Sequence, residues 1–269
     1  LGNIWRFPYL AAKYGGGIFL LIYIVLALTF GYTMIIAETT LGRMTKKSPV
    51  GAFHTFAKTK FASFSGWINA IIPILIVPYY SVIGGWVIKY LFEYLKGDAK
   101  LLATDTYFSN FISNGVSTEI CFILFTLFTL AIIYAGVQNG IERVSKFMMP
   151  VLVVLSVIIA GYSISRPGAF EGVKYFLIPN FDNFSWMTVV SAMGQMFYSL
   201  SIAMGILITF GSYMKKDVSI EGSTENVEIF DTAIAIMAGL MIIPAVFSFS
   251  GGDMETLKAG PSLMFITIP

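Results

Sequence analysis

Six long stretches without a charged residue constrain this chain more than any other feature of its sequence. They cover residues 14–37, 61–88, 120–141, 147–165, 183–214 and 232–252. A helix needs about 20 apolar residues to cross about 30 Å of hydrocarbon, and each stretch is long enough or nearly so. Only helices or closed barrels can span a bilayer, because its core offers no water to the backbone. Residues 122–133 lack the alternation of barrel strands, so helices are predicted.

The composition of the chain supports the same class of protein. Of its 269 residues, 57% are hydrophobic and 12% are charged, whereas soluble domains carry about 25% charged residues. This excludes an ordinary water-soluble enzyme and a disordered tail. The formal net charge of +2 is too small for a protein that binds nucleic acid through a basic surface. The single cysteine, Cys121, excludes a disulfide scaffold and a cysteine-based zinc site. We predict an integral membrane protein with no nucleic-acid partner.

Both ends of the chain fall within or just after apolar segments. Residues 1–9 are mostly apolar, and no basic region of a signal peptide precedes them. Residues 261–268 are apolar again. We therefore interpret residues 1–269 as a segment of a longer membrane protein.

Lysine and arginine concentrate in alternate loops, which predicts the orientation of the chain. The loop after the second span has five basic residues with no acid among them: Arg43, Lys46, Lys47, Lys58 and Lys60. Loops 39–63, 136–146 and 215–226 are therefore predicted to face the cytoplasm, in a plasma (inner) membrane. Loops 12–16, 96–118, 166–183 and 250–269 are predicted to face outward.

The stretch 183–214 is too long for one simple span and has polar and small residues in its middle. Gln195, Ser199 and Ser201 lie between Gly194 and Gly205. An interrupted helix exposes carbonyls and amides that hold ions in transporters. Two glycines can instead allow neighbouring helices to pack closely. Composition alone leaves both interpretations open.

Several short motifs occur in a characteristic order along the chain. Residues 1–9 read Leu-Gly-Asn-Ile-Trp-Arg-Phe-Pro-Tyr and are followed by glycines at 15–17. This pattern resembles the first-helix signature of the neurotransmitter:sodium symporters. The resemblance continues through residues 38–43, 79–80, 140–150, 167–172, 195–201 and 259–263.

The resemblance implies an all-α integral membrane protein with the LeuT-type inverted-repeat bundle and discontinuous helices 1 and 6. It also implies that the chain is truncated at both ends. Residues 1–269 would then be a single transmembrane transporter segment, with part of helix 1, helices 2–7 and part of the following outer loop. The short outer loop 96–117 is typical of a bacterial member.

The resemblance implies sodium-driven uptake of a small neutral or hydrophobic amino acid by alternating access. In the family, amides at the interruption of helix 1 and a tyrosine hydroxyl of helix 3 meet the substrate carboxylate, and helix N-termini suit such an anion. The positions that match the substrate site are Leu1, Gly2, Ile76, Tyr80, Tyr198, Ser199, Ser201 and Met204. Tyr80 can alternatively be an aromatic packing residue, and Met204 a core filler.

The resemblance also assigns a first sodium site, to Asn3, Ser199 and Asp231. Sodium is a hard cation that favours oxygen ligands, by analogy with other hard cations. In the family the substrate carboxylate completes the site, which couples the ion and substrate affinities reciprocally. Sodium is thus the expected co-transported ion.

Asp231 departs from the pattern of the family. It falls where many members have asparagine, and the position one turn further is Ala235. The other chloride-site positions match, at Tyr23, Gln195 and Ser199. We hypothesise that Asp231 supplies the negative charge that chloride gives elsewhere, so that chloride is not required. Alternatively, Asp231 is a solvated acid at the cytoplasmic start of helix 7.

Gate and hinge positions follow from the same resemblance. Arg6 matches the outer-gate arginine, Gln195 is expected to orient it, and Tyr198 takes the place of the aromatic lid over the substrate. Gly140 and Pro150 match a pair that permits local unwinding of helix 5. An ordinary proline kink is the alternative.

Functions other than amino-acid symport are also compatible with these residues. A carrier of an amine or osmolyte and a substrate sensor that does not transport both fit the same residues. A membrane enzyme is not indicated, since the sequence has no His-Glu-x-x-His motif, paired intramembrane carboxylates or nucleophile elbow. The expected partners are a small amino acid, sodium and the lipid bilayer, and homo-oligomer formation is left open.

Overall fold

The structure is a computed structural model that describes residues 2–56, 58–102, 104, 106–251 and 265–266. Its regular structure in these residues is helical, apart from one isolated bridge between Gly16 and Pro179. A short 3₁₀ turn, Phe181–Asn183, precedes α10. The helices are α1 (Gly2–Lys13), α2 (Gly17–Thr45), α3 (Pro49–Phe56), α4 (Lys60–Lys96), α5 (Ala99–Leu102), α6 (Tyr107–Ser113), α7 (Gly115–Tyr134), α8 (Val137–Ile164), α9 (Ala169–Leu177), α10 (Trp186–Ser199), α11 (Ile206–Tyr213) and α12 (Ile220–Ser250).

Five of these helices are long and apolar enough to cross a membrane: α2, α4, α7, α8 and α12. This confirms the prediction of an all-α, multi-pass membrane protein. The charge-free stretch 183–214 does not form a single span. It forms α10 and α11, which have 14 and 8 residues and are separated by residues 200–205.

The separation between α10 and α11 has a clear backbone cause. Three residues adopt left-handed conformations, with φ of 57° at Ser201, 60° at Ala203 and 69° at Gly205. A side chain makes this conformation cost about 1–2 kcal/mol per residue, so Ser201 and Ala203 need support from their surroundings. Glu38 on α2 provides part of it, because its Oε1 accepts a hydrogen bond from the Ala203 amide at 2.7 Å. The predicted interruption of helix 6 is therefore confirmed.

The helix α8 also departs from regular α geometry where a hinge is predicted. Gly140 lies in a π-helical turn, Val137–Glu142, at the start of this helix. Pro150 lies ten residues further on and removes one intrahelical hydrogen bond. The irregular geometry is consistent with local unwinding, and the hinge role itself stays a prediction.

The described chain forms two compact units, which are considered separately. The first contains Leu1–Leu75 and Ile159–Glu255, and the second contains Ile76–Ile158 and Thr256–Pro269. In the second unit, Tyr90 packs with Phe108 and Phe265, and its hydroxyl donates to the Phe265 carbonyl at 2.7 Å. The prediction that residues 1–269 form a single transporter segment is not tested by this division and stays a prediction.

In the first unit, α1 packs against α10 and α12, while α2 packs against α10 and α11. Gly42 on α2 faces the carbonyl of Ile208, and Gly211 on α11 faces the carbonyl of Thr39. A β-carbon at either glycine would overlap the opposing backbone, so these small residues allow the two helices to approach closely. Edge-to-face aromatic contacts around Phe7 fill the neighbouring core. This packing brings the ends of α1 and α10 beside the middle of α12.

Candidate ion and substrate site

Three polar side chains from three helices meet where α10 ends. Asn3 lies in the first turn of α1, Ser199 is the last residue of α10, and Asp231 lies inside α12. The Ser199 hydroxyl oxygen is 2.6 Å from Asn3 Oδ1 and 2.7 and 2.6 Å from the two Asp231 carboxylate oxygens. Asn3 Nδ2 donates to Asp231 Oδ1 at 2.8 Å. The structure thus brings together the three residues predicted for sodium site 1.

The chemistry of this oxygen cluster suits a monovalent cation. A hydroxyl has one proton, so Ser199 can donate to only one of its three close oxygen neighbours. The remaining short oxygen contacts would be stabilised by a hard cation that takes amide, hydroxyl and carboxylate ligands. The site supplies one carboxylate. Among the described residues no group of three or more His, Cys, Asp or Glu side chains could hold a metal ion.

A second layer of hydrogen bonds surrounds Asp231. Tyr23, which is fully buried, donates its hydroxyl to Asp231 Oδ2 at 3.0 Å. Gln195, also fully buried, donates from Nε2 to Asn3 Oδ1 at 3.5 Å. Charged groups can be buried only when hydrogen bonds or counter-charges replace water. Asp231 is accordingly a half-buried, hydrogen-bonded acid rather than a fully solvated one.

The other three positions predicted for the chloride site therefore gather around the Asp231 carboxylate. Tyr23 and Ser199 contact Asp231 directly, and Gln195 reaches it through Asn3. The Oε1 atom of Gln195 has no hydrogen-bond partner among the described residues. The arrangement places the Asp231 carboxylate amid the other predicted chloride-site residues, and its role in place of chloride stays a prediction.

The predicted gate residues also lie close to this cluster. The guanidinium carbon of Arg6 is 4.8 Å from the centroid of the Tyr198 ring, within cation–π range. The same ring covers Gly2, where a β-carbon would overlap it. Gln195 makes its described hydrogen bond with Asn3, so its orienting role towards Arg6 stays a prediction.

The remaining predicted substrate residues are distributed over several places. Ser201 and Met204 lie in the break between α10 and α11, and both are half-buried. Ile76 and Tyr80 belong to the second unit, so their part in the site stays a prediction. Leu1 lies outside the described residues.

Two buried acids were missed as site residues. Glu38 holds the Ala203 amide, and its Oε2 is buried without a partner in the described part of the chain. Glu228 is 4% exposed and lies three residues before Asp231 on α12, and its Oε1 has no partner in the same part. Acids inside spanning helices are costly and usually functional. That cost was the signal that could have identified both.

An oxygen cluster at a break between two half-helices is the type of site found in secondary transporters. Comparison with known proteins agrees with this class. The model of the sodium:neurotransmitter symporter family matches residues 1–110 and 109–269. The chain belongs to this family, which confirms the resemblance seen in the sequence.

Individual relatives and structures extend the comparison. The chain is 35% identical to the sodium-dependent transporter YhdH of Bacillus subtilis over 272 residues, covering 100% of the chain and 59% of YhdH. It is 27% identical to the human sodium- and chloride-dependent GABA transporter 2, covering 100% of the chain and 52% of that protein. The crystal structure of MhsT with L-phenylalanine matches with a TM-score of 0.88 and 38% identity, covering 99% of the chain and 60% of MhsT. The chain therefore spans about half to three fifths of the length of these proteins.

Proposed function

We propose that the protein containing this chain is a sodium-coupled symporter of small neutral or hydrophobic amino acids that works by alternating access. The observation that carries the proposal is the oxygen cluster of Asn3, Ser199 and Asp231 at the end of α10. Sodium would bind among these oxygens, and the substrate carboxylate would complete its coordination. A shared ligand makes each species raise the affinity of the other by the same factor.

The residues around the cluster define the proposed substrate site. The amide of Gly2 at the start of α1 is suited to an anionic carboxylate, because free N–H groups and the helix dipole point towards it. Leu1 and Tyr80 would contact the same carboxylate. Tyr198 would cover the substrate beside Arg6, and Ile76, Ser201 and Met204 would surround its side chain. An amino-acid substrate is supported by the presence of phenylalanine in the MhsT structure.

The membrane orientation follows from the charge distribution. Loops 39–63, 136–146 and 215–226 would face the cytoplasm, because they hold most of the lysine and arginine. With this orientation, α3 and the basic end of α2 lie on the cytoplasmic side of a plasma membrane.

Sodium-driven counterflow tests the proposed function directly. The full-length protein in proteoliposomes is expected to exchange labelled amino acid for unlabelled amino acid, and to accumulate it when an inward sodium gradient is imposed. Replacing sodium with choline is expected to remove accumulation. Sodium-dependent binding without exchange or accumulation would instead identify a sensor, and accumulation of only amines or osmolytes would identify the alternative carrier.

We further propose that transport does not require chloride, because Asp231 supplies a fixed negative charge beside the cation. Replacing chloride with gluconate is expected to leave the sodium-driven uptake rate within about twofold of its value, since no mobile anion is needed to balance the ion. The measurement is initial uptake in proteoliposomes prepared without chloride on either side. Strict dependence on chloride would refute this proposal while leaving sodium coupling intact.

A further inference from the structure

We infer that the first unit carries a binding cleft for the phosphate group of an anionic phospholipid, between α3 and the first turns of α4. The cleft has a volume of about 390 Å³. None of its lining residues belongs to the proposed transport site. Three kinds of side chain line it: basic side chains, side chains with a hydroxyl group, and aromatic rings.

Two lysines and a histidine line the cleft, and the lysines have no acidic partner among the residues that the structure describes. These residues, His54, Lys58 and Lys60, are exposed. The surrounding loop 39–63 contains no Asp or Glu. Basic residues next to a spanning helix attract anionic lipids when their charge is not neutralised by the protein.

The start of α4 adds a second anion-binding feature. Thr59 caps this helix, because its hydroxyl accepts a hydrogen bond from the Ala62 amide at 3.2 Å. The helix has 37 residues, and the positive end of its dipole lies at the cleft. The hydroxyl of Ser63 also lines the cleft. Helix N-termini are established positions for phosphate groups, and the lysines add mobile positive charge to this one.

The aromatic rings favour a lipid over a soluble anion. Phe64 and Trp67 line the same cleft and are 61% and 55% exposed. α4 is long and apolar enough to span a membrane, and its charge-free run begins at residue 61, so its first turns would lie at the boundary between bilayer and water. Tryptophan prefers this level, where one side of a ring meets headgroups and the other meets acyl chains. A phosphate bound by the lysines would have its acyl chains beside these rings.

Lipid titration of the full-length protein, followed by native mass spectrometry, tests the inference. We expect phosphatidylglycerol to bind more tightly than phosphatidylcholine with the same acyl chains. The double variant Lys58→Ala/Lys60→Ala is expected to weaken phosphatidylglycerol binding about tenfold or more, because each lysine near a membrane surface contributes about 1 kcal/mol. Phosphatidylcholine binding is expected to be unchanged.

Matched variants separate this site from general charge effects and from misfolding. Lys215→Ala/Lys216→Ala removes the same charge from an exposed loop outside the cleft and is expected to change lipid binding by less than twofold. Lys58→Arg/Lys60→Arg is expected to retain the preference for phosphatidylglycerol. Equal binding of the two lipids by the wild-type protein, or equal losses in both alanine pairs, would overturn the inference. Displacement of phosphatidylglycerol by millimolar inorganic phosphate would also overturn it, by identifying a site for soluble anions.

Discussion

Replacing Asp231 with alanine is expected to lower the sodium affinity of the full-length protein about 30-fold and to reduce sodium-driven uptake to background. The substitution removes the only carboxylate of the cluster, which accepts hydrogen bonds from Asn3, Tyr23 and Ser199. Hydrogen bonds to a charged group contribute about 1.5–3 kcal/mol, and 1.4 kcal/mol corresponds to a tenfold change in affinity. Sodium titration of labelled amino-acid binding measures the effect.

Two further variants make this prediction specific. Asp231→Asn keeps an oxygen ligand but loses the charge, so uptake is expected to persist in part and to become dependent on chloride. Asp217→Asn removes an exposed acid from the loop before α12 and is expected to leave the sodium affinity unchanged. Wild-type sodium dependence in Asp231→Ala would show that the cation binds elsewhere.

Replacing Glu38 with leucine is expected to lower uptake about tenfold or more while leaving the protein folded. Glu38 accepts the Ala203 hydrogen bond at 2.7 Å and thereby holds a segment in which two residues with side chains are left-handed. Loss of this acceptor removes a part-buried hydrogen bond to an acidic side chain, and hydrogen bonds to charged groups contribute about 1.5–3 kcal/mol. The measurement is initial uptake, with size-exclusion chromatography in detergent to establish that the variant is folded.

The conservative variant distinguishes hydrogen bonding from charge. Glu38→Gln keeps an oxygen acceptor at the same place and is expected to retain most of the uptake. Glu119→Leu removes an exposed acid from a spanning helix and serves as the matched control, with no change expected. If Gln and Leu at position 38 are equally harmful, the charge of Glu38 matters rather than its hydrogen bond to Ala203.

The helical, membrane-spanning nature of the chain could be predicted from the sequence because it depends on local composition. Charge-free runs overlap α2, α4, α7, α8 and α12. The composition of 183–214 left a break and close helix packing both open, and the family resemblance predicted the break. The backbone conformation that produces the break could not be predicted, because the left-handed residues Ser201 and Ala203 are not glycines. Ala203 is held by Glu38, which is 165 residues away from it along the chain.

The site itself could not be derived from spacing. Asn3 and Asp231 are 228 residues apart in sequence, and Asn3 and Ser199 are 196 apart, so only the family resemblance suggested that they meet. Interpretation of Asp231 as a solvated acid was equally consistent with its neighbours in sequence. Tertiary packing shows that Asp231 is hydrogen-bonded rather than fully solvated, through the donors that α1, α2 and α10 direct at its carboxylate, and its role in ion binding stays a prediction.

The reciprocal glycine contacts between α2 and α11 have a mechanical consequence. Since Gly42 and Gly211 each face a backbone carbonyl of the other helix, a side chain at either position would force the two helices apart. Residues 200–205 then connect this closely packed pair of helices to α10 and to Ser199 at its end.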